Sequence, residues 1–223
     1  MAGGWLMVEI LFENDEILAV NKPEGLASIR ERQNPAATES LYEILCAERG
    51  GNLLVVHRLD KDTSGVIVFA KSAQAHRWLG RQFEQRTAQK VYLALVHGVV
   101  AAEAGAIDKP LGQRGSGRIS VSPQHGRAAY TEYAVLHRFA AHTLVEAYPK
   151  TGRRHQIRVH LYSIGHPIVG DRLYGDRTIQ RAYPRMMLHA HRLTLRLPDG
   201  PPLILEAQPP DSFDRVLQAI AAA

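Results

Sequence analysis

The chain has 223 residues, 45% hydrophobic and 22% charged, which is enough apolar material for a substantial core, so that a chain disordered as a whole is not the expectation. Lysine and arginine number 27 against 22 acidic residues, a net charge of +5 that suits a polyanionic partner, and the single cysteine, Cys46, excludes an intramolecular disulfide framework and a thiolate-rich zinc site. No apolar run approaches the ~18 residues needed to cross a bilayer, residues 1–7 carry neither a basic leader nor a signal-like apolar region, and the expected location is cytoplasmic.

Residues 8–12 and 16–20 flank Asn14-Asp15 and predict a β-hairpin around a short polar turn. Asn21-Lys22-Pro23-Glu24-Gly25 stops the second strand, since proline fixes φ and glycine permits a sharp turn; Lys22 reads as a solvated side chain. Residues 29–35, with Arg30 and Arg32, follow no regular period and read as a loop. Ser40 and Glu43 form a capping box that opens a short helix, with Leu41, Ile44 and Leu45 on one face and Gly50-Gly51 at its end. Two apolar runs, 53–56 and 66–70, then read as buried strands. The polar stretch between them is a loop pinned at both ends, with turn chemistry from Thr63, Ser64 and Gly65 and a carboxylate, Asp60, on a rigid connector. Taken alone, an aspartate in such a turn reads as a loop cap.

Ser72 is expected to cap a second helix running through Arg86, with Ala75, Trp78, Leu79, Gln82 and Phe83 as its core stripe and Arg77, Arg81 and Arg86 on a solvated face. Residues 89–98 alternate as a strand, Val91, Leu93 and Leu95 on one side, Tyr92, Ala94 and Val96 on the other. From 105 to 127, glycines mix with Lys109, Arg114, Arg118, His125 and Arg127. No helix or long strand fits there, and a loose basic loop suits a phosphate backbone. Residues 128–135 and 142–147 predict an antiparallel pair. Thr151 reads as the cap of a helix whose buried stripe is Ile157, Leu161 and Ile164, ended by Gly165; Arg153, Arg154 and His155 then fall in its first turn, an unfavourable place for cations without an anion nearby. His189 and His191 share one face of a late strand but lack a third ligand, so no metal is assigned. Asp211 is expected to cap a last helix that buries Phe213, Val216, Leu217 and Ile220.

Three strings resemble the RluA-type pseudouridine synthase family: H-R-L-D-x-x-T-S-G over residues 57–65, K-x-Y-x-A over 90–94 and T-G-R-x-H-Q-I-R-V-H over 151–160. V-N-K-P-x-G at 20–25 and the turn at 166–175 are similar to it as well, and the likeness covers about residues 8–208. The resemblance implies an α+β pseudouridine synthase catalytic fold, with a mixed, mostly antiparallel central sheet, flanking helices and a central active-site cleft. Residues 1–223 are expected to form a single catalytic domain, without the N-terminal S4-like RNA-binding domain of many relatives. It also implies isomerisation of specific uridines in structured RNA, ribosomal, transfer or both, to pseudouridine.

By that resemblance Asp60 is the essential catalytic residue, Tyr92 lines the site against the target base, and Arg158 pairs with Asp60. Arg58 is the candidate to fill the space vacated by the extruded base, with His57, Thr63, Arg153 and His155 as further substrate-binding positions. A carboxylate near C1′ or C6 acts as nucleophile or as stabiliser of positive charge, and an arginine beside it fixes its orientation. The product is an isomer of the substrate, so no cofactor and no metal is expected; the RNA is the partner, with no membrane, and the protein is expected to be a monomer. Two other classes stay open. A non-catalytic RNA-binding module needs the basic loops but not Asp60, Tyr92 and Arg158 together. An aspartate-nucleophile hydrolase needs a second carboxylate in most families, for which Asp62 is the nearest candidate.

Overall fold

Residues 8–30, 39–115 and 118–222 are described by the computed structural model. Arg32 and the loop expected to run to Pro35, Gly117 of the basic stretch, residues 1–7 and Ala223 lie outside them. The first hairpin is β1 (Glu9–Glu13) with β2 (Ile17–Lys22), its turn closed by Asn14 Oδ1, which accepts from the amides of Glu16 and Ile17 at 2.9 and 2.7 Å. α1 (Leu41–Arg49) opens with the expected capping box and ends at Gly50, where φ is 61°. β3 (Leu54–Val55) is shorter than its apolar run, because the His57 ring takes over its pairing with β4 (Ser64–Ala70): His57 Nε2 accepts from the Val68 amide at 3.0 Å. α2 (Ala73–Glu84), capped by Ser72, stops short of the expected end at Arg86, which takes a left-handed φ of 62°.

β5 (Gln89–His97) is the expected strand. The following stretch is more ordered than its composition suggests, containing β6 (Ala104–Asp108), β7 (Leu111–Gln113) and β8 (Ile119–Val121). Leu111 and Ile119 are buried in a small cluster with Val159 and Tyr174, which holds the β7–β8 hairpin down. β9 (Tyr130–Arg138) and β10 (His142–Pro149) form the expected antiparallel pair. Then come α3 (Gln156–Ser163), α4 (Arg177–Arg181), β11 (Leu188–Leu195), β12 (Leu203–Glu206) and α5 (Asp211–Ala221).

Several expectations are corrected. Thr151 does not cap α3: its Oγ1 accepts from the Tyr130 amide at 3.1 Å and donates to Gln156 Oε1 at 2.6 Å, and the helix starts behind His155, whose φ is 54°. Arg153, Arg154 and His155 therefore form the approach to the helix rather than its first turn. Asp211 is the first helical residue behind Pro210, with no side-chain cap bond. Lys22 is fully buried, its Nζ donating to the carbonyls of Pro23, Leu26 and Lys61 at 2.8, 2.7 and 3.0 Å. Burial draws its pKa down to about 7, against the pull of Asp62 and Asp60. Ser64 and Gly65 are strand residues, pairing with His189 and Ala190 of β11.

The large sheet runs β1-β2-β4-β11-β5-β10-β9-β6, with β12 on β11 and β3 on β4, and of these pairs only β4 with β11 is parallel. One core gathers around β2, β4 and α2, another around β5, β10, α3 and α5. Tyr92 packs against the second of these and against the cluster joining α1 to the β2–β4 ladder. Among the described residues, no helix is long and apolar enough to cross a membrane.

The joint between β4 and β11 depends on Gly65, with φ 114°, where an added Cβ would lie 2.2 Å from the Ala190 carbonyl oxygen. Gly65→Ala is expected to destabilise the fold by about 3 kcal/mol, since backbone strain and backbone overpacking both act. Thermal unfolding checks this, with a midpoint lowered by about 10 °C.

Candidate active site

A cleft of about 660 Å³ is lined by the loop after β3, the end of α2, the start of β5 and the turn between β10 and α3. Asp60, Tyr92, Arg158, His57, Arg58, Thr63, Arg153 and His155 all line it. These residues come from segments up to a hundred positions apart, so the sheet order is what brings them together.

Asp60 is fixed from both sides along the chain. Before it, Ser28 Oγ accepts from the Leu59 amide at 3.1 Å and donates to the Leu59 carbonyl at 2.9 Å; after it, Lys22 holds the Lys61 carbonyl. The Thr63 amide donates to the Asp60 carbonyl at 3.1 Å and closes the turn. The V-N-K-P-x-G segment thus serves the site through Lys22, whose role the sequence reading missed.

The Asp60 carboxylate, with 21% of its side chain exposed, accepts from Arg158 Nη1 through Oδ2 at 3.1 Å, and His155 Nε2 lies 3.9 Å from the same oxygen. Arg158 is buried, at 4% exposure, and its two-point partner is not Asp60 but Asp171: Nε donates to Oδ2 at 2.7 Å and Nη2 to Oδ1 at 2.8 Å. Burial works against the Arg158 charge, but the hydrogen bonds and charge of Asp171, with the charge of Asp60, outweigh it and raise its pKa.

Asp171 and Tyr174 are the residues that sequence reasoning did not identify. Asp171 Oδ1 also accepts from the amides of Leu173 and Tyr174, at 2.9 and 3.2 Å. Tyr174 brings its ring centroid to 5.2 Å from the Arg158 guanidinium carbon, and its hydroxyl is hydrogen-bonded to His155 Nδ1 at 2.9 Å. The signal available was the turn at 166–175 itself, together with a buried-stripe arginine that needs a carboxylate of its own.

Tyr92 sits on β5 between Ala147 of β10 and Ala190 of β11. Burial, then the charge of Asp60, pushes its phenol pKa up, so its hydroxyl stays protonated in the cleft. His57 stacks on Phe83 with centroids 4.5 Å apart, and burial lowers its pKa to about 3, in keeping with a neutral ring whose Nε2 is already an acceptor. Burial likewise brings His155 down to about 4, the Asp60 charge opposing and the Arg158 charge adding. Arg58 and Arg154 are exposed at the cleft, Thr63 is buried in its wall, and Arg153 Nε donates to the Ala128 carbonyl at 3.2 Å. Asp62 is exposed and does not line the cleft, so it offers no second carboxylate beside Asp60. His189 is engaged with Ser64 Oγ at 2.9 Å and the Ala207 carbonyl at 3.0 Å, and His191 reaches that same carbonyl.

What results is one oriented carboxylate on a cleft wall, one protonated phenol, neutral imidazoles and a rim of arginines. Such a site can attack or electrostatically stabilise an electrophilic carbon of a ligand whose anionic parts meet the rim.

The sequence matches the family described as RNA pseudouridylate synthase over residues 16–163. It is 40% identical to the ribosomal large subunit pseudouridine synthase D of Nitrosomonas europaea, over 96% of this chain and 65% of that protein. It is 42% identical to the dual-specificity RNA pseudouridine synthase RluA of Vibrio vulnificus, over 85% of this chain and 78% of that one. The chain thus spans about two thirds to four fifths of the length of these relatives. Among solved structures, human RNA pseudouridylate synthase domain containing 1 superposes with a TM-score of 0.80 at 26% identity, covering 100% of this chain and 98% of the other.

Proposed function

The chain belongs to the RNA pseudouridylate synthase family, isomerases of uridine in RNA, and on that premise we propose that Asp60, Tyr92 and Arg158 carry the reaction in the cleft. The N1–C1′ bond of uridine breaks, the base turns, and C5 bonds to C1′; the proton lost from C5 is balanced by one gained at N1. Asp60 acts on the sugar or the base as nucleophile or as stabiliser of developing positive charge. The observation that carries this reading is the 3.1 Å contact between Arg158 and Asp60, with Arg158 itself held by Asp171. It keeps the carboxylate oriented without occupying Oδ1, which has no hydrogen-bond donor among the described residues.

Tyr92 stacks on the base and presents its hydroxyl to the turning ring, while Arg58, exposed at the cleft, enters the space the extruded base leaves. His57, Thr63, Arg153 and His155 complete the substrate wall. The substrate is a structured RNA, ribosomal, transfer or both, in keeping with one relative described as acting on the ribosomal large subunit and another as dual-specificity. The reaction needs no cofactor or metal, since substrate and product are isomers, and the protein works as a monomer in the cytoplasm.

The test is pseudouridine mapping of total RNA with and without the protein, followed by tritium release from RNA labelled at uridine C5. Release with an intact chain supports isomerisation; free base or a cleaved sugar supports a hydrolase and removes this reading. Tyr92→Phe keeps the stacking ring and loses the hydroxyl, so RNA binding near wild type with single-turnover conversion slowed by about a hundredfold is expected. An unimpaired rate reduces Tyr92 to a platform.

A further inference from the structure

We propose that Lys90, with Arg86 beside it, forms a phosphate subsite for the backbone linkage next to the uridine held in the cleft. This rests on the RNA-isomerase reading and adds to it a place for the target nucleotide's own backbone. Both residues line the same cleft as Asp60 and Tyr92. Lys90 precedes Tyr92 by two positions on β5, so the two side chains leave one face of the strand about 7 Å apart. That is the order of separation a ribose sets between its base and its phosphates. A base stacked on Tyr92 therefore brings a linkage within reach of the Lys90 ammonium.

The charges point the same way. Neither Lys90 nor Arg86 forms an ion pair with a carboxylate among the described residues; Glu84, the acidic residue closest along the chain, lines the same cleft but is exposed and pairs with neither. Lys90 is partly buried, and burial, then the charge of Arg86, lowers its pKa to about 8. The imidazole at this end of the cleft, His57, is neutral and has its Nε2 committed to the Val68 amide. Two cations side by side at the cleft, one of them partly buried and neither paired with a carboxylate, repel each other until an anion joins them. Arg86 also occupies left-handed backbone that glycine adopts more easily, so what the position supplies is its side chain, an exposed guanidinium at the cleft. Arg153 and Arg154 lie on the turn before α3 and Lys90 with Arg86 at the junction of α2 and β5, giving the cleft two cationic sides for the strand that carries the target.

The test uses the full chain and an RNA stem-loop containing the uridine identified by mapping, with a neutral methylphosphonate replacing the linkage on either the 5′ or the 3′ side of the target. The readout is the enzyme concentration that half-saturates single-turnover conversion. For the wild type, neutralising one of the two linkages is expected to raise it about tenfold, the loss of one charge-assisted contact. Lys90→Gln should raise it by the same factor on unmodified RNA, with no further rise when that linkage is neutralised, and Lys90→Arg should restore most of the loss. Half-saturation of Lys90→Gln at the wild-type concentration, or losses that multiply at both linkages, overturns the proposal. If Lys90→Gln does not fold by thermal unfolding, Arg86→Gln, at an exposed position, enters the same cycle with the same criteria. Failure of the isomerase reading would show separately, as absence of conversion of unmodified RNA by the wild type.

Discussion

Arg158→Lys is expected to slow single-turnover conversion at saturating enzyme by about a hundredfold or more while leaving RNA affinity within a few-fold. One guanidinium serves two carboxylates here: Nε and Nη2 grip Asp171, and Nη1 reaches Asp60. A lysine ammonium keeps the charge but cannot span both partners, so either Asp171 loses its two-point side-chain partner or Asp60 loses its donor. A displaced carboxylate of about 1 Å is enough for a loss of that size. Asp171→Asn attacks the same unit from behind. It removes the charge that holds a buried arginine and turns one oxygen into a donor facing donors, so a loss of about 3–5 kcal/mol in stability accompanies the loss in rate. Thermal unfolding and single-turnover kinetics on both variants separate the two effects. A wild-type rate for Arg158→Lys removes the proposed role of Arg158.

The residues that could be found from the sequence are those whose meaning is local or carried by an ordered string. Asp60, Tyr92 and Arg158 stand in the three strings, and all three line one cleft. The capping box of α1 and the Ser72 cap of α2 were legible because capping acts within three residues. Lys22 was misread because its three carbonyl acceptors, of Pro23, Leu26 and Lys61, meet only after folding. Asp171 was missed for a related reason: its turn stands out as a string, but which residue thirteen positions earlier on α3 it holds is settled only by folding. Thr151 looked like a cap, yet Tyr130 and Gln156 claim its hydroxyl from other elements. Ser64 and Gly65 looked like turn residues since their strand partners, His189 and Ala190, lie far along the chain. The strands of the basic stretch are three to five residues long, too short for alternation to stand out, and two of them are held by Tyr174 and Val159 from elsewhere.

Everything proposed for the cleft depends on Asp60 as the group that acts on the nucleotide. Its most direct measurement is tritium release from C5-labelled uridine in the mapped RNA under single-turnover conditions, with Asp60→Asn verified by mass spectrometry to be free of deamidation. Asparagine preserves the size of the side chain and leaves the Ser28 and Lys22 contacts to its neighbours in place, while removing the charge and the nucleophile. Release is expected to fall by at least about four orders of magnitude. RNA affinity should stay within a few-fold of the wild type, because phosphate contacts supply most of it. Substantial release by that protein would contradict the assignment of Asp60 and, with it, the account of the cleft built around its carboxylate.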